Sequence, residues 1–264
     1  MGLESEYTFV IESRQIGLKM NDITVMLCFA RSGGTLLNRC LGCLPDVTIM
    51  SEVNPLGGGW GKEGSDSYTT IKAQAGAWYG IELENVEFAS SAVELAGKCE
   101  HLIIRDWSFV NFAPIPQNKN KPPQSLLILD ELETVCTVKP FAFVRNAIDV
   151  YLSRKGSLYD FVMAYRTFAQ EIVRRNIPIY HYEEFCIDPP AVFKQLCNYI
   201  DVQYRDVFTE YLKFLNVNGD VQGVSRGKMQ NMIAPLPRLQ IDPDLLQIIK
   251  SHTLLQEVNE MLGY

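Results

Sequence analysis

One stretch near the start of the chain restricts the fold more than any other, because it joins a buried strand to a helix through two glycines. Residues 23–29 form an apolar and β-branched run, which is typical of a strand covered on both faces. The sequence Arg-Ser-Gly-Gly-Thr follows at 31–35, and apolar residues then recur with helical spacing from Leu36. A helix that begins after such a turn presents its free amide groups and the positive end of its dipole at one place. The stretch 23–39 therefore predicts an anion-binding corner in an α/β fold.

The position of the basic residue separates this loop from that of ATP- and GTP-binding proteins. Their loop carries a lysine directly before a Ser or Thr, where it reaches the terminal phosphates. Here Gly34 runs straight into Thr35, and the cation, Arg31, precedes the glycines. In this pattern the chain resembles the sulfotransferases that use 3'-phosphoadenosine 5'-phosphosulfate (PAPS), whose phosphosulfate loop reads Lys/Arg-Ser-Gly-Thr/Ser-Thr. Gly34 departs from that motif at one position, which removes a hydroxyl group but leaves the backbone cradle.

Three later motifs extend the resemblance. Arg145 ends a predicted strand and Ser153 follows eight residues later, as in the family's site for the 3'-phosphate. Tyr182 begins a Tyr-Glu-Glu sequence similar to the family's tyrosine beside that phosphate, and the basic stretch 223–228 resembles the loop that closes over the nucleotide. The alternatives to these binding roles, a surface ion pair for Arg145 and a core position for Tyr182, stay open. The residues that the resemblance implies as contacts of the cofactor are Arg31, Ser32, Gly33, Gly34, Thr35, Leu36, Arg145, Ser153, Tyr182, Arg226, Gly227 and Lys228.

The resemblance also implies catalysis by positioning and fixed charge. By analogy with phosphoryl transfer, we expect Arg31 to hold the transferred group's oxygens and no metal to be needed. Cytosolic members of the family use a histidine after the third strand as the base, but this chain has Arg-Asp-Trp at 105–107. Tyrosylprotein and many bacterial members instead place a glutamate after the second strand, and Glu52 lies 21 residues after Arg31. We expect Glu52 to be the base, with Asp106 as the second candidate. The alternative is that the Glu52 carboxylate only forms a hydrogen bond with a neighbouring loop.

Strands alternate with helices along the rest of the chain. Short apolar runs at 47–50, 101–106, 139–146 and 177–182 predict further strands, and helical periodicity separates them. Alternation of this kind indicates a parallel sheet with helices on both faces, whose ligands bind beyond the carboxyl ends of the strands. We therefore predict a single sulfotransferase-like domain over residues 1–264, with the three-layer α/β architecture of the P-loop NTPase-like folds.

Local signals add three expectations. Asn146 is a favourable N-cap for the helix that carries Ser153, and Asp149 three positions later predicts a capping box. The stretches 55–80 and 107–123 contain glycines and prolines and are the least periodic parts of the chain, although helical spacing recurs at about 67–79. Because irregular segments of this length often carry function, we expect both stretches to border the acceptor.

Composition limits the kinds of partner that the protein is expected to bind and indicates its cellular compartment. A net charge of −7 argues against binding the nucleic-acid backbone, and no apolar run approaches the ~20 residues that span a bilayer. The seven cysteines are scattered and odd in number, as is typical of reduced intracellular thiols. We expect a cytoplasmic protein that takes PAPS as co-substrate, releases 3'-phosphoadenosine 5'-phosphate, and acts on a hydroxyl or amine of a small-molecule, glycan or lipid acceptor.

Two other functions stay open from the sequence. A P-loop kinase or NTPase would share the strand–loop–helix corner, but the loop lysine is missing and no obvious magnesium-binding aspartate follows an apolar strand at the right place. A non-catalytic nucleotide-binding domain would keep the cradle without turnover, and the Arg-Asp-Trp at 105–107 in place of a histidine is compatible with it.

Overall fold

A five-stranded, fully parallel sheet organises the chain in a computed structural model that describes residues 22–57, 68–115, 118–154, 156–219 and 232–264. The strand order is β2-β3-β1-β4-β5. The strands are β1 (Ile23–Leu27), β2 (Val47–Val53), β3 (His101–Asp106), β4 (Val138–Val144) and β5 (Ile179–His181). The helices are α1 (Gly34–Gly42), α2 (Ile71–Tyr79), α3 (Phe88–Ala96), α4 (Phe109–Phe112), α5 (Leu127–Leu132), α6 (Ala147–Arg154), α7 (Leu158–Arg174), α8 (Tyr182–Ile187), α9 (Pro189–Tyr199), α10 (Pro243–Lys250) and α11 (Thr253–Met261), with a 3₁₀ helix at Asp206–Lys213.

Helices cover both faces of the sheet, because successive residues of a strand point to opposite sides. In the central strand β1, Val25 and Leu27 belong to the apolar core that α3, α7 and α11 also build. Met26 and Cys28 belong to a second core, built with α1, α8, α9 and the 3₁₀ helix. The predicted three-layer α/β architecture is therefore confirmed. None of the helices in the described ranges is both long and apolar enough to cross a bilayer.

Helix α7 fixes the point at which the chain leaves β1. Its apolar stripe, Phe161, Tyr165, Phe168 and Ile172, is fully buried, as the four- and three-residue spacing indicates. Phe29 follows β1 and lies among these rings, with centroid distances of 6.1 Å to Phe161, 4.8 Å to Tyr165 and 5.7 Å to Phe168. Tight aromatic packing directly before residues 31–35 gives the predicted anion-binding loop a rigid base.

The predicted capping box at α6 is only half correct. Asn146 does cap the helix, since its side-chain Oδ1 accepts a hydrogen bond from the Ile148 amide at 3.1 Å. Asp149 does not return to the Asn146 amide, which instead donates to Glu183 at 3.3 Å. The Asp149 carboxylate forms two hydrogen bonds with the Arg238 guanidinium, at 2.9 and 3.0 Å. A charged partner distant in sequence therefore displaces the local interaction.

The two least periodic stretches, 55–80 and 107–123, each contain a helix. Within 55–80, residues 71–79 form α2, and within 107–123 the helical turn α4 is buried on all sides. A segment enclosed all round has apolar residues on every face, so its sequence does not show the period of an amphipathic helix. Residues 107–113 are consequently part of the core.

Candidate functional site

All five strands end at one edge of the sheet, and the predicted site residues gather there because the strands are parallel. The loop after β1 provides the amides of an anion cradle, and the ends of the other strands provide charged and aromatic side chains. Glu52 lies near the end of β2, Arg105 and Asp106 end β3, Arg145 follows β4, and Tyr182 follows β5.

The loop at 31–35 forms an open amide cradle at the start of α1. Gly33 has a left-handed φ of 87°, and no side chain caps the helix or adds an acidic group to its first turn. The amides of Ser32 and Leu36 are already used, by the carbonyl groups of Phe29 at 3.1 Å and Gly33 at 2.9 Å. Ser32 is fully buried as well, so the cradle consists of the amides of 33–35, which precede the first intrahelical hydrogen bonds. The predicted direct contacts from Ser32 and Leu36 are therefore not supported through their amides.

The structure explains why glycine stands at position 34, where the sulfotransferase motif has a small hydroxylated residue. A Cβ atom on Gly34 would lie 2.5 Å from the Cys28 sulfur and 3.2 Å from Nε of Arg105. Cys28 is buried, which raises the pKa of its thiol even though the Arg105 charge opposes that shift. The Cys28 sulfur thus occupies the space that a side chain at position 34 would need, and Arg105 lies close beside it.

Arg31 and Arg145 both lie close to the glycine loop at the carboxyl edge of the sheet. Nε of Arg31 donates a hydrogen bond to the Ser153 hydroxyl at 3.1 Å. The guanidinium carbon of Arg145 lies 4.6 Å from the ring centroid of Tyr182. The same ring packs against Gly33 so closely that a Cβ there would lie 2.4 Å from its Cδ2 atom. Tyr182 therefore connects the amide cradle to the second arginine.

Arg145 is enclosed but keeps capacity to bind an anion. Its side chain is 6% exposed, and its Nε is buried without a hydrogen-bond partner within the described parts of the chain. Glu183 lies 4.0 Å from that nitrogen and is itself bound by the Tyr264 hydroxyl at 2.6 Å. Burial raises the pKa of Tyr182 to about 12, so its hydroxyl stays protonated at neutral pH. A phosphate at Arg145 would satisfy a buried donor that is otherwise costly.

Glu52 forms an ion pair that the sequence did not predict. Nη2 of Arg105 lies 2.7 Å from its Oε1, and the two side chains are only 6% and 13% exposed. Glu52 also has a left-handed φ of 52°, at a register irregularity in the pairing of β2 with β3. The order of strands was the missing information, because it makes β3 the neighbour of β2 and places these side chains together.

Asp106 is buried away from any acceptor. It is 1% exposed, and its Oδ1 accepts a hydrogen bond from Nδ2 of Asn54 at 2.7 Å. Burial raises the pKa of the Asp106 carboxyl to about 7, and the hydrogen bond from Asn54 opposes that shift. Asp106 is therefore less accessible than Glu52, whose side chain is 13% exposed. Arg226, Gly227 and Lys228 lie outside the described residues.

Solved structures with the same fold are sulfotransferase domains. The sulfotransferase domain from the olefin synthase of Synechococcus PCC 7002 is 17% identical, has a TM-score of 0.56, and is matched over 92% of this chain and 95% of that one. The sulfotransferase domain from the curacin biosynthetic pathway is 15% identical, with a TM-score of 0.53 and coverage of 92% and 98%. No protein-family model matches the chain, and no curated protein sequence matches it significantly. The chain therefore has the P-loop-like α/β fold of these sulfotransferase domains.

We predict that Gly34→Ser destabilises the protein. The added side chain collides with Cys28 and Arg105, which should lower the free energy of unfolding by about 1–3 kcal/mol, as for other overpacked sites. Cys28→Ala in the same chain should restore part of the loss. Gly76→Ser is the matched control, since a Cβ there meets nothing within 4 Å. Denaturant unfolding measures all four proteins, and wild-type stability in Gly34→Ser would contradict this packing.

We also predict that Asp106 makes stability depend on pH. Its pKa rises from 3.8 to about 7 on folding, so the native state binds more protons than the unfolded chain between these values. Stability from this group is therefore greatest below pH 4 and falls by up to about 4 kcal/mol as the pH rises to 8. Asp106→Asn should remove that part of the slope in unfolding measured at several pH values. Parallel curves for the variant and the wild type would refute the assignment.

Proposed function

We propose that the protein transfers the sulfuryl group of PAPS to a hydroxyl or amine of an acceptor. The observation that carries this proposal is the packing of Tyr182 against both Gly33 of the amide cradle and Arg145, with Arg31 bound to Ser153. Two separate cationic positions at one sheet edge suit a ligand that is anionic at both ends. An adenosine with a phosphate at its 3' position and a phosphosulfate at its 5' position is such a ligand.

The residues present fit this nucleotide at both of its ends. The amides of 33–35 and the Arg31 guanidinium would hold the 5'-phosphosulfate. Arg145 and Ser153 would hold the 3'-phosphate, supported by Tyr182. We retain the expectation that residues 226–228 close over the nucleotide.

The proposed transfer requires little covalent participation by the protein. The acceptor oxygen or nitrogen bonds to sulfur while the bond between sulfur and the 5'-phosphate oxygen breaks, and the acceptor's proton goes to the Glu52 carboxylate. The negative charge that develops on the leaving phosphate is met by Arg31 and the amides of the cradle. Arg105 lies between Glu52 and the loop, since it contacts the former at 2.7 Å and limits the space at Gly34. The proposed base is thus one guanidinium away from the proposed phosphosulfate site.

One observation favours a second function, a nucleotide-binding domain without turnover. Glu52 is paired with Arg105, and Gly219 lies directly against its carboxylate, because a Cβ on Gly219 would be 2.4 and 2.5 Å from the two oxygens. An acceptor has to reach the carboxylate past this contact. The activity of Glu52 variants separates the two functions.

We further propose that the protein works in the cytoplasm. None of the seven cysteines, all of which lie within the described residues, forms a disulfide bond, and Cys28, Cys40, Cys186 and Cys197 are buried as small apolar side chains. Thiols of this kind persist where the environment is reducing.

We predict that 3'-phosphoadenosine 5'-phosphate binds without magnesium and that Glu52→Gln separates binding from transfer. Calorimetry should give nucleotide affinities within threefold for the variant and the wild type, because Glu52 does not belong to the proposed nucleotide contacts. Transfer of labelled sulfate to a panel of hydroxyl and amine acceptors should fall at least a hundredfold, as expected on losing a general base.

Two results would contradict this proposal, and a third would change only the identity of the base. Binding of ATP with magnesium, but not of 3'-phosphoadenosine 5'-phosphate, would favour a kinase or NTPase. Nucleotide binding without transfer to any acceptor would favour the non-catalytic domain. Undiminished transfer by Glu52→Gln would remove Glu52 as the base while leaving the sulfotransferase assignment in place.

A further inference from the structure

We propose that the side-chain amides of Gln74 and Asn218 are positioning residues, which hold the end of β2 so that Glu52 lies at the carboxyl edge of the sheet. The role of Glu52 as base rests on the proposed function, whereas the clamping of its backbone rests on geometry alone. Neither amide residue belongs to the loop, the arginines or the tyrosine of the nucleotide site.

The end of β2 needs such support because its backbone is irregular. Glu52 adopts a left-handed φ of 52°, a conformation that residues with a Cβ atom rarely take. The register of β2 against β3 shifts between Ser51 and Val53, as at a β-bulge. Unfavourable backbone conformations of this kind persist when surrounding contacts determine them.

Gln74 supplies the first half of the clamp from helix α2. Its Oε1 accepts a hydrogen bond from the Ser51 amide at 2.7 Å, and its Nε2 donates to the Ser51 carbonyl at 2.8 Å. The same nitrogen donates to the Tyr68 carbonyl at 2.9 Å. Gln74 is fully buried, so it acts as a fixed substitute for a neighbouring strand.

Asn218 supplies the second half from a segment far along the chain. Its Nδ2 donates to the Ser51 carbonyl at 3.1 Å and also to the Tyr68 carbonyl, while its backbone amide donates to the Ser51 hydroxyl at 3.0 Å. Its carbonyl oxygen accepts a hydrogen bond from Nη1 of Arg105 at 3.4 Å. Asn218 therefore contacts the residue before Glu52 and also the arginine that pairs with Glu52.

The contact of Gly219 with Glu52 follows from this anchoring. Asn218 fixes the segment, and the next residue then lies against both oxygens of the Glu52 carboxylate. Asn218 thus holds the residue before Glu52, contacts its ion-pair partner Arg105, and precedes Gly219, which covers its carboxylate. Together these contacts restrict Glu52 to one orientation. Loosening Asn218 should change the setting of the carboxylate without changing the nucleotide site.

The test compares Asn218→Asp and Asn218→Ala with Asn216→Ala. The aspartate keeps the shape of the side chain but replaces the Nδ2 donor with an oxygen that faces two carbonyl groups. Asn216 is the matched control from the same segment, since its Nδ2 lies 3.5 Å from the Trp78 carbonyl and makes at most a weak bond. Each protein is measured for kcat, for affinity toward 3'-phosphoadenosine 5'-phosphate, and for the NMR signal of the ¹³C-labelled Glu52 carboxyl carbon, assigned with Glu52→Gln.

We expect both Asn218 variants to lose at least tenfold in kcat, with nucleotide affinity within twofold of the wild type and a displaced Glu52 carboxyl signal. Asn216→Ala should match the wild type in all three. An unmoved carboxyl signal would overturn the proposal, and so would a kcat within twofold of the wild type or an equal loss in Asn216→Ala.

A wild-type protein that transfers no sulfate would refute the proposed function, and the carboxyl signal alone would then decide whether Asn218 positions Glu52. Gln74→Glu, which removes the Nε2 donor from the other half of the clamp, should displace the same signal. It provides a second variant if the Asn218 variants fail to fold.

Discussion

The contact on which the site depends is the packing of the Tyr182 ring between Gly33 and Arg145. It joins the glycine loop after β1 to the arginine after β4, although these strands' ends are separated by more than a hundred residues of sequence. The ring is buried, and its hydroxyl accepts a hydrogen bond from the Leu236 amide at 3.3 Å. Because glycine alone fits beneath the ring, the loop conformation, the amide cradle and the distance to Arg145 are set together.

The electrostatics follow from this arrangement. The chain is acidic overall, with a net charge of −7, yet two arginines face one short stretch of sheet edge. The Ser153 hydroxyl contacts Arg31, and the Tyr182 ring contacts Arg145. Glu183 is the nearest acidic group to Arg145, at 4.0 Å, and an incoming phosphate would compete with it.

The site features that could be predicted from the sequence are those that lie within a single strand–turn–helix unit. The loop at 31–35 and the Arg145–Ser153 spacing are local, and the structure brings them together as expected because the strands are parallel. The partner of Glu52 could not be predicted, since Arg105 is 53 positions away and meets it only through strand order. Asn218 is still less visible, because it comes 167 positions after Ser51 in a segment without regular structure. The predicted return hydrogen bond of the capping box is absent because Asp149 pairs instead with Arg238, which is also distant in sequence.

The most direct test of the central claim is the affinity of this protein for two isomers that differ only in the position of one phosphate. We predict that 3'-phosphoadenosine 5'-phosphate binds at least tenfold more tightly than its 2'-phosphate isomer in calorimetry. Arg145→Ala should remove that preference, whereas Arg205→Ala, a control whose guanidinium pairs with Asp46 just before the start of β2, should keep it. Equal affinity of the wild type for both isomers would contradict the account.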